Sequence, residues 1–216
     1  MAASAPFEAD DANALKKMSP QDVEALLPAS YSQLLGSGSY GCVYTVDYEG
    51  QTCVLKVPHC AGDSSLRREM ELLQRIAGAG GAPVPLAFCP ESHALLMSFC
   101  GKASLKQHLS RGARSGGFSL QHVLCLALRV TERLLELHRA GFVHCDLNCN
   151  NVTVKLDAAR KLESVHIIDY GLSARIGEKR PPRTKPEWYI QCYCDCTYNG
   201  SPILPLCDLP GLGTVF

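Results

Sequence analysis

The sequence predicts an α+β fold: a strand-rich first part carrying one helix, then a mainly helical second part. Two observations carry this. Through the first hundred residues, apolar side chains recur with period two in short runs broken by glycine and proline. From Gly101 onward the longest patterned segment follows the 3.6-residue helical repeat instead. Strands that cluster first and helices that follow are the α+β pattern, whereas regular alternation would mark a parallel α/β sheet. With 216 residues, 46% of them apolar, the chain has material for a substantial core and is not generally disordered.

The elements follow in order. Residues 1–29 read as a polar extension containing a short helix over 20–27, begun by Ser19 and Pro20. Strand-like runs occupy 31–35, 42–48 and 52–57, with Glu49-Gly50 turning between the last two. Residues 65–76, rich in Leu, Glu, Arg and Met, form a helix ended by the glycines at 78, 80 and 81. Two further strands fall at 83–88 and 94–99, and residues 89–93 turn between them. A long helix is expected over 119–138, with an apolar face at Leu120, Val123, Leu124, Ala127, Leu134 and Leu135. Arg129, Glu132, Arg133 and Glu136 mark its polar face, and Gly141 follows as a stop. Strands are expected at 152–156 and 164–168. Residues 171–216, rich in Pro, Gly, Cys and basic side chains, read as loop with little regular structure.

Composition narrows the function classes. Lys plus Arg number 21 and Asp plus Glu number 21, so no global positive field exists to hold nucleic acid. No apolar run approaches the roughly 18 residues that a membrane span needs. The acidic start, lacking a basic and then apolar leader pattern, argues for an intracellular protein, cytoplasmic or nuclear. Twelve cysteines then read as reduced thiols, many inside apolar stretches. One cluster, Cys192, Cys194 and Cys196 with Cys207 beyond it, raises a metal reading. Its C-x-C-x-C spacing lacks the C-x-x-C knuckle of common zinc sites, so structural zinc is the lesser reading.

Three short motifs carry chemistry. Gly36-Ser37-Gly38-Ser39-Tyr40-Gly41 lies between two strands rather than before a helix. That context disfavours a dinucleotide site, which needs a helix N-terminus at the last glycine, and suits a hairpin loop folding over nucleotide phosphates. Lys56 sits among apolar neighbours in the strand 52–57. It either reaches solvent at a sheet edge or requires a buried anion, for which Glu69 and Glu71 on the next helix are both available. His144-Cys145-Asp146-Leu147-Asn148-Cys149-Asn150-Asn151 places Asp146 and Asn151 five residues apart in one loop, and Asp169-Tyr170-Gly171 ends a strand.

In this order and setting the motifs resemble those of the eukaryotic protein kinase domain, over roughly residues 30–216. The resemblance implies a two-lobed fold: an N-lobe and hinge over 30–101 and a partial C-lobe over 102–216. It implies that the amides of Gly36 to Gly41, Ser37, Ser39 and Tyr40 among them, cover the phosphates of ATP, with Val43 and Val54 flanking the adenine. Leu96-Met97-Ser98-Phe99-Cys100 is similar to the hinge, with Met97 as gatekeeper and Ser98 and Cys100 beside it. Lys56 would hold the α- and β-phosphates and be oriented by Glu69, the first glutamate of Arg-Glu-Met-Glu. Asp146 would accept the proton of a protein hydroxyl, and Asn151 and Asp169 would ligate Mg²⁺.

Departures accompany the resemblance. Cys145 stands where an arginine usually precedes the catalytic aspartate, which implies activity not gated by an activation-segment phosphate. Asn148 replaces the lysine common in serine/threonine kinases, Tyr170 replaces phenylalanine and should pack on Leu73 and His144, and Val54 is bulkier than the usual alanine. Five basic residues between Arg175 and Lys185 face one acid, Glu178, which suits a solvated loop or contact with an acidic partner. Cys207-Asp208-Leu209-Pro210-Gly211-Leu212-Gly213 resembles the start of the helix that anchors the C-lobe, with Asp208 and Gly213 as its paired positions. The chain stops just beyond, so truncation of the C-lobe is expected, with an uncovered apolar face on the long helix. Three readings therefore stand: an ATP-dependent kinase with a protein substrate, most readily serine/threonine; a catalytically weak module that binds nucleotide or a partner; and a fragment of a longer product.

Overall fold

The computed structural model describes residues 15–27, 33–38, 41–60, 63–114, 116–157, 161–185 and 193–216. Its first half is an antiparallel sheet extended at one edge by a parallel strand. β1 (Lys16–Lys17), β2 (Leu34–Gly38), β3 (Gly41–Tyr48), β4 (Gln51–Val57), β5 (Pro85–Phe88) and β6 (Leu95–Ser98) order as β1-β5-β6-β4-β3-β2. The expected strands therefore form, with ends shifted by a few residues; positions 31 and 32 lie outside the described residues.

Period-two alternation sorts β4 between two cores. Cys53 and Leu55 face a small core with Met18, Val23, Val46 and Leu96, while Val54 joins the larger core and Lys56 lines the interlobe cleft. Met18 and Val23 come from the segment expected to precede the sheet. Lys16 and Lys17 pair in parallel with β5, and α1 (Pro20–Leu26) follows, so this extension is built into the sheet. Ser19 begins α1 with a capping box: its hydroxyl accepts from the Asp22 amide while the Asp22 carboxylate accepts from the Ser19 amide.

α2 (Ser65–Ile76) occupies the expected span. Leu66, Met70, Leu73 and Ile76 bury one face against the sheet, and Ala77 closes the helix in the left-handed conformation, φ 50°. β7 (Ala103–Ser104) leads into α3 (Leu105–Arg114) and pairs with β9 (Val152–Leu156), which pairs in turn with β10 (Leu162–Ile167).

α4 (Leu120–Arg139) forms where the period places it, capped by Ser119. Its packing face differs from expectation. Leu126, Val130, Leu134 and Leu137 are buried, whereas Leu120, Leu124 and Leu135, expected in the core, are exposed at 73%, 59% and 45%. The helix carries two apolar stripes, and the glycine turn at 79–81 together with β10 accepts only one. That approach is close: a Cβ on Gly80, at φ 71°, would lie 2.8 Å from the Arg133 carbonyl oxygen.

The tail is also more regular than expected. β8 (Phe142–Val143) pairs with β11 (Ala174–Arg175). The short helix α5 (Cys196–Asn199) and a 3₁₀ turn over Pro205–Asp208 follow, leading into α6 (Leu209–Val215).

Candidate active site

Lys56 enters the cleft from β4, opposite Val43 on one side and Leu95 on the other. It is buried, and its Nζ lies 2.7 Å from Glu69 Oε2 and 3.0 Å from Asp169 Oδ1. Glu69 is also buried while Glu71 is exposed, which resolves the two candidates in favour of Glu69. Burial opposes the charge on Lys56, but the two carboxylates outweigh it and hold its pKa above the ordinary lysine value. Burial likewise opposes ionisation of Asp169, and Lys56 outweighs it, keeping that carboxylate below its usual range.

The backbone bends sharply where these groups meet. Asp169 has φ 66° and Cys145 φ 65°, left-handed conformations that are strained for residues other than glycine. The next residue, Tyr170, donates its amide to Glu69 Oε1 at 3.3 Å and sets its ring edge-on against His144, 5.0 Å between centroids. It shares a core with Leu73, as expected. Its hydroxyl is buried and has no hydrogen-bond partner among the described residues.

Asp146 is half-buried in the loop between β8 and β9, next to Asn151, which lines the cleft. Asn151 donates its amide nitrogen to Asp146 Oδ2 and to its backbone carbonyl, both at 2.8 Å. Asn148 donates to the same carbonyl at 3.0 Å, and Tyr193 donates its hydroxyl to Oδ1 at 2.8 Å. Burial pushes the Asp146 carboxyl above the ordinary value, against these hydrogen bonds.

The loop is held from beneath by Asp208, which is buried. Its Oδ2 accepts from the His144 amide at 2.9 Å and its Oδ1 from the Cys145 amide at 2.7 Å. A Cβ on Gly211 would lie 2.4 Å from the Leu147 carbonyl oxygen, whereas Gly213 faces open space. The paired glycine expected at 213 is therefore not the position of close approach; Gly211 is. Cys145 is buried, its thiol pushed up chiefly by burial, with Asp208 adding to the effect.

Lys56, Glu69, Asn151 and Asp169 border a cleft of about 420 Å³, and Asp146 sits beside it rather than in its lining. Gly36, Ser37, Gly38, Gly41, Val43 and Val54 line it from the sheet, Met97, Ser98 and Cys100 from the connection, and Asn151 and Asp169 from below. Ser39 and Tyr40 lie outside the described residues. Gly41 is required at its position because a Cβ there would fall 2.1 Å from the Val57 carbonyl oxygen. The cleft also uses Leu35, Thr153 and Ile168, which the motif reading did not single out. Leu35 and Ile168 adjoin quoted motif residues, so that signal was present; Thr153 carried none.

The basic stretch is largely engaged within the chain. Arg180 donates to the Ser173 carbonyl at 3.1 Å, Glu178 sits between Arg68 and Arg180, and Lys185 pairs with Asp195.

A family model of the protein kinase domain matches residues 30–194. The chain belongs to the protein kinase family. Relatives of the chain include serine/threonine-protein kinase 33 of Bos taurus, 28% identical over 68% of the chain, and Aurora kinase of Candida albicans, 27% identical over 74%. Serine/threonine-protein kinase mos of Xenopus laevis is 28% identical over 67%. The chain spans 32%, 30% and 41% of the lengths of these three proteins. Its α+β architecture, with a strand-rich lobe above a mainly helical one, is that of the family. Among the described residues, no helix is long and apolar enough to cross a membrane.

Proposed function

We propose that this kinase transfers the γ-phosphoryl group of ATP to a protein hydroxyl, serine or threonine in preference to tyrosine. The observation that carries the reading is the Lys56 bridge between Glu69 and Asp169, on one cleft with Asn151, which holds Asp146 just beside the lining. A buried lysine held charged by two carboxylates is a fixed cation, which is what the charge on a phosphate chain requires. The glycines of β2 and β3 bring backbone close to the same space, and Val43, Val54 and Met97 give it apolar walls suited to a purine.

The donor set fits Mg²⁺, a hard cation that takes oxygen ligands: the Asp169 carboxylate and the Asn151 amide oxygen, whose amide nitrogen is committed to Asp146. When bound, the ion would neutralise phosphate charge. Asp146, raised by burial and oriented by Asn151, is suited to orient an acceptor hydroxyl and take its proton. The balanced charge supports a protein rather than a nucleic acid as acceptor, and the free thiols of the described cysteines suit a reducing, intracellular compartment.

A second reading, nucleotide binding with little transfer, draws support from Tyr193, whose hydroxyl takes up Asp146 Oδ1. Thermal-shift titration with Mg·ATP followed by phosphate-transfer assays separates the readings. A kinase is stabilised by Mg·ATP, loses that response in Lys56→Met, and in Asp146→Asn keeps binding while transfer falls by about 10²- to 10⁴-fold. A chain that binds but transfers equally poorly as wild type and Asp146→Asn is the binding module. Absence of stabilisation at millimolar Mg·ATP overturns both.

A further inference from the structure

Away from the cleft, the fold brings together three cysteines that the sequence separates. The Sγ atoms of Cys194, Cys196 and Cys207 all lie within 4.8 Å of one another. Cys194 and Cys196 flank the turn entering α5, and Cys207 comes from the 3₁₀ turn before Asp208. The C-x-C-x-C spacing alone argued against zinc because it lacks a knuckle. Cys207, which the sequence set beyond that cluster, arrives from a second turn, while Cys192 lies outside the described residues.

From this juxtaposition we propose that Cys194, Cys196 and Cys207 form a binding site for one Zn²⁺ ion. Three thiolates at Zn–S bonds of about 2.3 Å in tetrahedral geometry stand about 3.8 Å apart. A cluster already within 4.8 Å reaches that spacing by movements of less than about an ångström, within the range of side-chain adjustment. Sulfur ligands select thiophilic cations over Mg²⁺ or Ca²⁺. The Leu204 amide points at Cys207 Sγ at 3.3 Å, an outer contact of the kind that steadies a metal-bound thiolate. Cys194 and Cys196 also pack against the apolar group formed by Val143, Ala174 and Ile203, which shields one side of the site. Among the described residues three protein ligands converge, which leaves the fourth tetrahedral position to solvent or to a ligand outside them. Each thiol releases its proton to solvent as it binds.

The site's place in the fold gives it a consequence. Cys207 precedes Asp208, which holds the His144 and Cys145 amides, and Cys194 follows Tyr193, which touches Asp146. One ion would tie both approaches to the catalytic loop together. The inference does not depend on phosphoryl transfer, and its test reads metal directly.

Reduced full-length protein is loaded with Zn²⁺, freed of excess by gel filtration and assayed for bound metal, with Co²⁺ as a spectroscopic substitute. The expected result is one ion per chain and thiolate-to-cobalt charge-transfer bands. Both are lost in Cys207→Ser and in Cys194→Ser and kept in Cys60→Ser/Cys125→Ser, which alters two exposed cysteines elsewhere. Zn²⁺ should also slow hydrogen exchange in peptides spanning 193–207 of the wild type, a readout that needs no variant to fold. Substoichiometric zinc, cobalt spectra without thiolate bands, or exchange unchanged across 193–207 overturns the site. So does binding that persists in a correctly folded Cys194→Ser protein.

Discussion

The Tyr193 hydroxyl donates to Asp146 Oδ1 at 2.8 Å, so the carboxylate proposed to receive an acceptor's proton already holds a hydroxyl of its own chain. An incoming hydroxyl must displace a hydrogen bond to a charged group, a contact of roughly 1.5–3 kcal/mol. Tyr193→Phe should therefore lower the acceptor KM and raise kcat/KM by about tenfold or more, with the Mg·ATP thermal shift unchanged. The acid limb of the pH–rate profile should move as well. Burial raises Asp146 and the tyrosine bond opposes that rise, so removing the bond shifts the limb to higher pH. Steady-state kinetics on both proteins check each point, and an unchanged acceptor KM refutes the occupied-base argument.

Tyr170 presents the opposite situation, a hydroxyl with nothing to bond. Its ring is fully buried against His144, while its oxygen has no hydrogen-bond partner among the described residues. Leaving such a group unsatisfied costs about 1–3 kcal/mol. Tyr170→Phe keeps the ring and deletes the oxygen, so it should stabilise the protein by about 1 kcal/mol, or about 2–4 °C in Tm. Calorimetry or urea titration measures this. Destabilisation would mean that the hydroxyl is bonded.

The two glycines of α6 separate contact from spacing. At Gly211 a Cβ would meet Leu147 backbone at 2.4 Å, and backbone cannot swing aside as a flexible side chain can. Gly211→Ala should push α6 away from the loop carrying Leu147 and destabilise by about 1–3 kcal/mol. At Gly213 the same methyl meets nothing and improves helix propensity, so Gly213→Ala should be neutral or stabilising by up to about 1 kcal/mol. Urea denaturation of the pair tests the assignment; equal effects would remove the claim that Gly211 seats the helix.

These residues show what local pattern conveys and where it stops. The strand around Lys56 was legible, but its residues alone left open a sheet edge or a buried anion; pairing on both sides, to Val43 and Leu95, removes the edge. The α2 boundaries were legible from composition and the following glycines, since both act locally. Tyr193 meets Asp146 across 47 residues, and Cys207 meets Cys194 between two irregular turns, so no period records either contact. Gly213 matched the family spacing while Gly211 makes the close approach, a distinction that depends on how α6 lies on the loop. On α4 the helical period was clear, but two apolar stripes satisfied it and only tertiary packing chose between them.

That choice leaves a surface with its own consequence. Leu120, Leu124, Leu128 and Leu135 fall along one side of α4, and the first three are 73%, 59% and 58% exposed. Side chains four apart on a helix are neighbours, so they form a continuous apolar stripe. Such a stripe promotes association between chains, whereas polar replacement of side chains that are more than half exposed removes little packing within the fold. Leu124→Lys/Leu128→Glu should therefore change unfolding stability by no more than about 0.5 kcal/mol per site while reducing self-association. Leu126→Ala, two residues from Leu124 but fully buried, should cost about 2–5 kcal/mol. Light scattering and urea denaturation on the same samples decide the matter. Lower scattering at unchanged midpoint is expected from the double variant, and a midpoint loss comparable to that of Leu126→Ala would show that the stripe is packed rather than open.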